Sequence, residues 1–237
     1  MPDSPTVSQI AASLADALDA DRYWRDGDPV GVWLDSPRPV RRLGLRLEAG
    51  RAPYEWARGL DAVLLHRPFG LWPARVPDGL GVLAYHGALD DHFSVGVNPD
   101  LAAALGLRVE AEPLVRGERP VGIVGALDEP EPYARTLGRI EDELGGTRAA
   151  VGPKPEVVER VAIVGAMTAE LVAAAAERGA SVFVTGQVRQ PGVAAAGEHG
   201  VRVVAVGQGR GERWGLRHLG RLVRDRWPAV ETVDLDA

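Results

Sequence analysis

Two histidines follow short apolar runs and occupy matching positions in the sequence. Residues 62–65 and 82–85 are apolar and lead into His66 and His86, and Asp90 comes four residues after the second histidine. Short apolar runs bounded by glycine, proline and charge are typical of buried strands. In open α/β sheets, ligands bind beside the carboxyl ends of the strands. Because imidazole and carboxylate groups ligate metals, the pattern predicts a metal site. A hydrogen-bonded loop histidine is the alternative at each position.

Two later apolar runs also end in polar residues. Residues 182–184 precede Thr185-Gly186-Gln187, and residues 201–206 precede the glycine-rich run 207–211 and Glu212. Four strands would then bring polar side chains to one edge, namely His66, His86, Thr185 and Gln208. A glycine run between a strand and a helix is also typical of phosphate loops, but the third glycine spacing is wrong for a dinucleotide fingerprint.

The composition excludes several kinds of chemistry. Cysteine is absent, which excludes disulfides, thiolate zinc sites, iron–sulfur clusters and cysteine nucleophiles. Lys154 is the only lysine, and neither a Walker loop nor a Gly-x-Ser-x-Gly motif occurs. The net charge of −6 argues against nucleic acid as the main partner. No apolar run approaches the ~20 residues of a membrane span, and no signal peptide is recognisable, so a cytoplasmic location is expected.

Apolar spacing predicts alternating helices and strands. An amphipathic helix is expected over 8–21, a half-exposed strand over 40–47 and a short helix over 100–105. From residue 120 onward, strands at 121–125, 161–165, 182–185 and 201–206 alternate with helices at 132–144, 168–178, 190–199 and 211–226. Such alternation implies parallel strands joined by right-handed crossovers. Residues 145–160 have the composition of a linker.

The polar strand ends lie within motifs that resemble those of one known family. Residues 61–68 resemble its segment Asp-x-hydrophobic-hydrophobic-x-His-His-Pro, and residues 85–90 resemble Tyr-x-x-His-Thr-x-x-Asp. Residues 96–98 and 105–107 resemble two further motifs of this family, Gly-x-Asn and Leu-Gly-Leu. Residues 179–187 resemble Gly-Ala-Asp-hydrophobic-x-Thr-Gly-Glu, and residues 207–212 resemble Gly-His-x-x-Ser/Thr-Glu. In order and spacing, the chain resembles the NIF-three-like proteins, which include the GTP cyclohydrolase I type 2 homologues.

The resemblance implies an α/β fold of two related halves, with mixed or parallel sheets flanked by helices. The whole chain, 1–237, would form one NIF-three-like unit, with halves of 1–118 plus 207–237 and of 119–206. It also implies symmetric homo-oligomers and a dinuclear metal site. We expect a small anionic ligand as partner, and neither nucleic acid nor a membrane.

Three positions depart from the family pattern. Arg67 replaces the second histidine of His-His-Pro, Gln208 the closing histidine, and Gln187 the acid after Thr-Gly. Arginine does not ligate metals, and its charge about 5 Å from a dication would cost on the order of 6–7 kcal/mol at a dielectric of about 20. We therefore expect at most one divalent ion. The alternative is a degenerate site, without metal, in which Arg67 forms a salt bridge with Asp90 or Glu212.

The resemblance and the chemistry of the side chains at the strand ends together suggest three kinds of role. The expected metal ligands are His66, Asp90 and Glu212. The expected catalytic residues are His86, Asp90 and Glu212. The expected substrate-binding residues are Arg67, Thr185 and Gln208. The implied function is metal-dependent hydrolysis of a small anionic substrate, and the alternative is a non-catalytic oligomeric scaffold or ligand sensor. A nucleotide cyclohydrolase, with His86 and His92 as acid–base groups, rests on the resemblance alone.

Overall fold

The computed structural model describes residues 4–23, 26–110 and 112–236, which divide into two compact units. The first unit comprises Met1–Leu89 and Glu212–Ala237, and the second comprises Asp90–Gly211. Each unit contains one β-sheet with helices packed against it, which confirms the α/β class and the mixed sheets. The relatedness of two halves with the boundaries given above stays a prediction.

The first unit has a five-stranded sheet whose strand order is β1-β4-β3-β2-β12. Its strands are β1 (Val30–Leu34), β2 (Arg42–Glu48), β3 (Ala62–Arg67), β4 (Gly81–Tyr85) and β12 (Glu231–Asp234). Its helices are α1 (Val7–Ala17), α2 (Ala20–Tyr23) and most of α7 (Gln208–Arg226). The strands β12, β2, β3 and β4 are parallel, and β1 is antiparallel to β4. Short 3₁₀ turns at Glu55–Ala57 and Pro73–Arg75 lie between strands.

The opening helix is shorter than the spacing predicts. A capping box begins α1, since the Thr6 hydroxyl accepts from Gln9 N and the Gln9 side chain accepts from Thr6 N. Ile10 and Leu14 are buried, as an amphipathic helix requires, and each buried side chain contributes roughly 1.5–3 kcal/mol. The helix ends at Ala17 because Asp19 adopts a left-handed conformation with φ of 47°, and α2 follows.

The second unit has a seven-stranded sheet with the order β5-β7-β9-β10-β11-β8, and β6 pairs with β7. Its strands are β5 (Leu107–Val109), β6 (Leu114–Arg116), β7 (Arg119–Pro132), β8 (Ala149–Val151), β9 (Val157–Val164), β10 (Val182–Thr185) and β11 (Arg202–Ala205). Its helices are α3 (Pro99–Ala104), α4 (Tyr133–Leu144), α5 (Ala169–Glu177) and α6 (Gln190–Glu198). A one-turn π-helix, Leu89–Phe93, precedes α3.

Two expectations for this unit are wrong. The strands β9, β10 and β11 are parallel, but β7 is antiparallel to β9. The reason is that the chain does not return beside β7 after α4. It first forms β8, which pairs antiparallel with β11 on the other side of the sheet. Residues 145–160 are therefore not a linker, because they contain β8 and the first half of β9.

The glycine-rich run 207–211 does not form a phosphate loop. Gly207 has φ of 99°, and α7 begins directly after it at Gln208, three residues earlier than expected. Gly211 lies within the helix, where an added Cβ would approach Val95 Cγ2 to 2.8 Å and Ser94 Oγ to 3.0 Å. This glycine therefore serves close packing inside the second unit rather than the approach of a nucleotide.

Candidate metal centre

Neighbouring parallel strands bring His66 and His86 together. Leu65 of β3 pairs with Ala84 of β4; His66 is the last residue but one of β3, and His86 follows directly after the end of β4. The centroids of the two imidazole rings are 5.0 Å apart, and the planes are inclined by 39°. The strand pairing explains this proximity, because adjacent parallel strands end at the same edge of a sheet.

The hydrogen bonds of His66 fix the orientation of its ring. Its Nδ1 lies 3.0 Å from the carbonyl oxygen of Tyr85, and the residue has no exposed surface. A carbonyl only accepts, so Nδ1 carries the proton and donates it. The other nitrogen, Nε2, lies 3.5 Å from Glu212 Oε1. A backbone carbonyl that holds Nδ1 in this way is typical of metal-ligating histidines, whose Nε2 faces the ion.

A carboxylate fixes His86 in the same manner. Its Nδ1 is 2.6 Å from Asp28 Oδ1, and Asp28 Oδ2 accepts from Gly87 N at 2.7 Å. Such a pairing of carboxylate and imidazole fixes the tautomer and the orientation of the ring. Asp28 is not among the residues predicted from the sequence, because its position depends on the antiparallel pairing of Val30 with Tyr85, which no local pattern reveals.

Asp90 completes a group of three possible ligands with the two histidines. It follows β4 by five residues, within the π-helix Leu89–Phe93. One ligand atom from each of His66, His86 and Asp90 can be chosen so that all three lie within 4.8 Å of one another. Two imidazoles and a carboxylate form a donor set that metal sites with three protein ligands use, leaving a coordination position open. The residues present therefore fit one divalent ion.

Glu212 is bound by Arg67. Arg67 Nη1 donates to Glu212 Oε2 at 3.1 Å, and Nη2 donates to Glu212 Oε1, so the pair is bidentate. Arg67 also lies 3.5 Å from the exposed carboxylate of Glu48. Glu212 is only 1% exposed. It does not belong to the group formed by the two histidines and Asp90.

The electrostatic environment keeps Glu212 ionised. Burial by itself would raise the pKa of the Glu212 carboxyl, but a protonated His66 ring, whose Nε2 then donates to Glu212, and the Arg67 guanidinium together outweigh burial and lower the pKa to about 2. A carboxylate with so low a pKa is a weak proton acceptor near neutral pH. Glu212 is thus placed to neutralise Arg67 and to face His66 Nε2.

The remaining predicted residues lie in the second unit. Thr185 ends β10, and Gln208 is the first residue of α7. Both residues line one pocket of about 520 Å³, together with Gln187. His92 packs edge-on against Phe93, with ring centroids 5.1 Å apart. The structure thus brings His66, His86 and Asp90 together, and it places Thr185 and Gln208 around a pocket of their own.

Comparison with known proteins gives consistent matches along the chain. Residues 5–236 match the family DUF34/NIF3 (NGG1p interacting factor 3). The GTP cyclohydrolase 1 type 2 homolog of Pseudomonas aeruginosa is 30% identical over 241 residues, covering 92% of this chain and 94% of that protein. The homolog of the same name from Escherichia coli K12 is 29% identical over 231 residues, covering 89% and 88%.

Solved structures show the same fold. The protein ybgI, described as of unknown function, has a TM-score of 0.74 and 25% identity over 97% of both chains. A Bacillus cereus protein related to NIF3 has a TM-score of 0.72 at 15% identity, covering 99% of this chain and 98% of that one, and this likeness concerns the fold alone. In the described part of the chain, no helix is long and apolar enough to cross a membrane. Because the family match extends over nearly the whole sequence, the chain belongs to the DUF34/NIF3 family.

Proposed function

We propose that this protein binds one divalent metal ion through His66, His86 and Asp90 and hydrolyses a small anionic substrate. The observation that carries the proposal is the matched orientation of the two histidines. Each uses Nδ1 for a protein acceptor, Tyr85 O or Asp28 Oδ1, which makes Nε2 the nitrogen that would bind the ion. A divalent ion in such a site lowers the pKa of a bound water and polarises the bond to be broken.

This ligand set differs from the one expected from sequence in one residue. Glu212 was expected to bind the metal, but both of its oxygens accept hydrogen bonds from Arg67. Recruiting it as a ligand would leave the guanidinium without its buried partner, which is costly. We therefore assign His86 to the metal and give Glu212 the role of holding Arg67 and facing His66.

The same pair supports a single metal ion rather than two. The family motif that residues 61–68 resemble has a histidine where this chain has Arg67, and an arginine supplies no lone pair to a metal. The fixed positive charge of Arg67 balances the carboxylate of Glu212, a role that a second metal cation would otherwise fill. Gln187 and Gln208 replace two further ionisable positions of the family pattern.

The metal content of the purified protein tests this proposal directly. Protein purified without chelators should contain about one transition-metal ion per chain by elemental mass spectrometry. His86→Ala and Asp90→Ala should each lose most of it. His199→Ala is the matched control, since this exposed histidine lies at the end of α6, outside the metal group. A stoichiometry near two, or unchanged content in both ligand variants, would contradict the assignment.

A non-catalytic, ligand-sensing protein is the second candidate, and one observation favours it. Glu212 is held by Arg67 and has a pKa of about 2, so it is poorly suited to act as a general base. A panel of nucleotides, including GTP, and of phosphoesters, tested with Zn²⁺, Mn²⁺ and Mg²⁺, separates the candidates. Turnover that His86→Ala abolishes supports the hydrolase, whereas binding without turnover supports the sensor. Light scattering would measure the molar mass in solution and so test the proposed homo-oligomer.

A further inference from the structure

The pocket in the second unit has the size and position of a small-molecule site. Its volume is about 520 Å³, within the range of roughly 300–1,000 Å³ that ligand pockets occupy. Gly165, directly after β9, and Thr185, at the end of β10, form part of its wall. These strands are parallel, and α5 and α6 begin beside the same edge. This edge of a parallel sheet is where α/β proteins bind ligands.

Two arginines line this pocket, and neither forms a direct salt bridge with any residue that the structure describes. They are Arg116, which ends β6, and Arg189, which precedes α6. Within residues 4–23, 26–110 and 112–236, the Arg189 side chain forms no ion pair and donates no hydrogen bond. By contrast, Arg160 and Arg178 of the same unit both bind Glu110, at 2.7 and 2.9 Å. The pocket therefore offers guanidinium groups that are available to an anion.

The wall of the pocket also carries a hydroxyl group. Thr185 lines the pocket and is 1% exposed, and no described residue forms a hydrogen bond with its hydroxyl. This oxygen is not among the buried polar atoms that lack a partner in the described chain, so it keeps contact with solvent in the pocket. The neighbouring Gln208 carboxamide packs on Gly186, where an added Cβ would lie 2.6 Å from Gln208 Oε1. Thr185 and Gln208 therefore supply neutral hydrogen-bonding groups beside the two cations.

One carboxylate opposes the arginines. Glu170 lies in the first turn of α5, where its own backbone N–H, then the Thr168 hydroxyl, and then the charge of Arg116 lower its pKa. The formal charge of the three ionic side chains lining the pocket, Arg116, Arg189 and Glu170, is thus +1. Glu170 is exposed, so it can move away from the helix terminus when another anion enters.

We infer that this pocket binds a small molecule that carries a phosphomonoester, with Arg116 and Arg189 as the cationic partners of the phosphate. Three phosphate oxygens match two guanidinium groups and the amides at the start of α5 better than a two-oxygen carboxylate does. Met167 and Pro191 provide an apolar wall for the uncharged part of the molecule. The inference rests on the proposed function only where it names the substrate; binding itself requires no metal.

Calorimetry with phenyl phosphate tests the inference. The full chain, freed of metal with EDTA and dialysed, should bind it with 1:1 stoichiometry, and phenol should not bind. Arg189→Met should weaken binding about tenfold, because one charge-assisted contact is lost. Arg108→Met is the matched control, since Arg108 is an exposed arginine of the same unit outside the pocket and pairs with the exposed Asp128. Absence of binding at millimolar concentration, or equal binding by Arg189→Met, would overturn the inference.

Two further variants separate a binding role from a structural one. Glu170→Gln should tighten binding about threefold, because a repulsive charge a few ångströms from the phosphate is removed. Thr185→Val should weaken binding without lowering the melting temperature, since no protein hydrogen bond is lost. Benzoate binding as tightly as phenyl phosphate would refute the phosphate assignment. Because the assay is free of metal, His86→Ala should bind phenyl phosphate normally, and a failure of the metal proposal leaves this result unaffected.

Discussion

Replacing Arg67 with methionine should destabilise the protein because it leaves the buried Glu212 carboxylate without its bidentate partner. Glu212 is 1% exposed, and its pKa of about 2 lies below the ordinary 4.5. At 1.36 kcal/mol per pKa unit, this difference corresponds to about 3 kcal/mol. His66 supplies part of that stabilisation, and Arg67 is 28% exposed, which screens its charge. We therefore expect Arg67→Met to lower the free energy of unfolding by about 2 kcal/mol at neutral pH.

Urea denaturation in the presence of EDTA gives the measurement without a contribution from bound metal. The matched control is Arg42→Met in the same unit. Arg42 also approaches a carboxylate with two nitrogens, but its partner Glu231 is 60% exposed, so the cost should stay below about 1 kcal/mol. The double variant Arg67→Met/Glu212→Gln should recover about half of the loss, because no buried charge remains. An Arg67→Met loss no larger than that of Arg42→Met would refute the reasoning.

Three further predictions follow from named contacts. The pKa of Glu212 is lower in the folded state than in the unfolded state, so its stabilising contribution is complete above about pH 4.5 and is lost as the pH falls towards about 2. In urea titrations, the difference in unfolding free energy between wild type and Glu212→Gln should therefore shrink over that interval. Asp28→Asn should weaken metal affinity about 10–100-fold, measured by competition with a chromophoric chelator, because His86 loses its carboxylate partner. Tyr85→Phe should lower the free energy of unfolding, measured by urea denaturation, by about 1 kcal/mol, because the Tyr85 hydroxyl donates to Ala11 O at 2.6 Å. Burial raises the pKa of Tyr85 and so keeps that hydroxyl protonated.

The parts of the site that follow from strand periodicity were predictable. The apolar runs 62–65 and 82–85 became β3 and β4, and their parallel pairing brought His66 and His86 together. The family and its α/β fold, inferred from motif order, are confirmed. The roles assigned to Arg67, Thr185 and Gln208 stay predictions.

The remaining features depend on contacts between distant parts of the sequence. Arg67 and Glu212 are 145 residues apart, so the sequence suggested their salt bridge only as one of two pairings. Asp28 reaches His86 through the register of β1 against β4, which apolar spacing does not determine. The direction of β7 likewise depends on which strand follows α4. That strand, β8, is too short to show a periodicity of apolar residues.

The complete burial of His66 has a consequence for the kinetics of metal exchange. A chelator cannot reach an imidazole that has no exposed surface, whereas His86 and Asp90 are both partly accessible. Removal of an ion from this centre would therefore start at the two accessible groups and finish only when the end of β3 opens. Dissociation should then become independent of chelator concentration once the chelator is in excess, with a limiting rate that reports the opening of that strand.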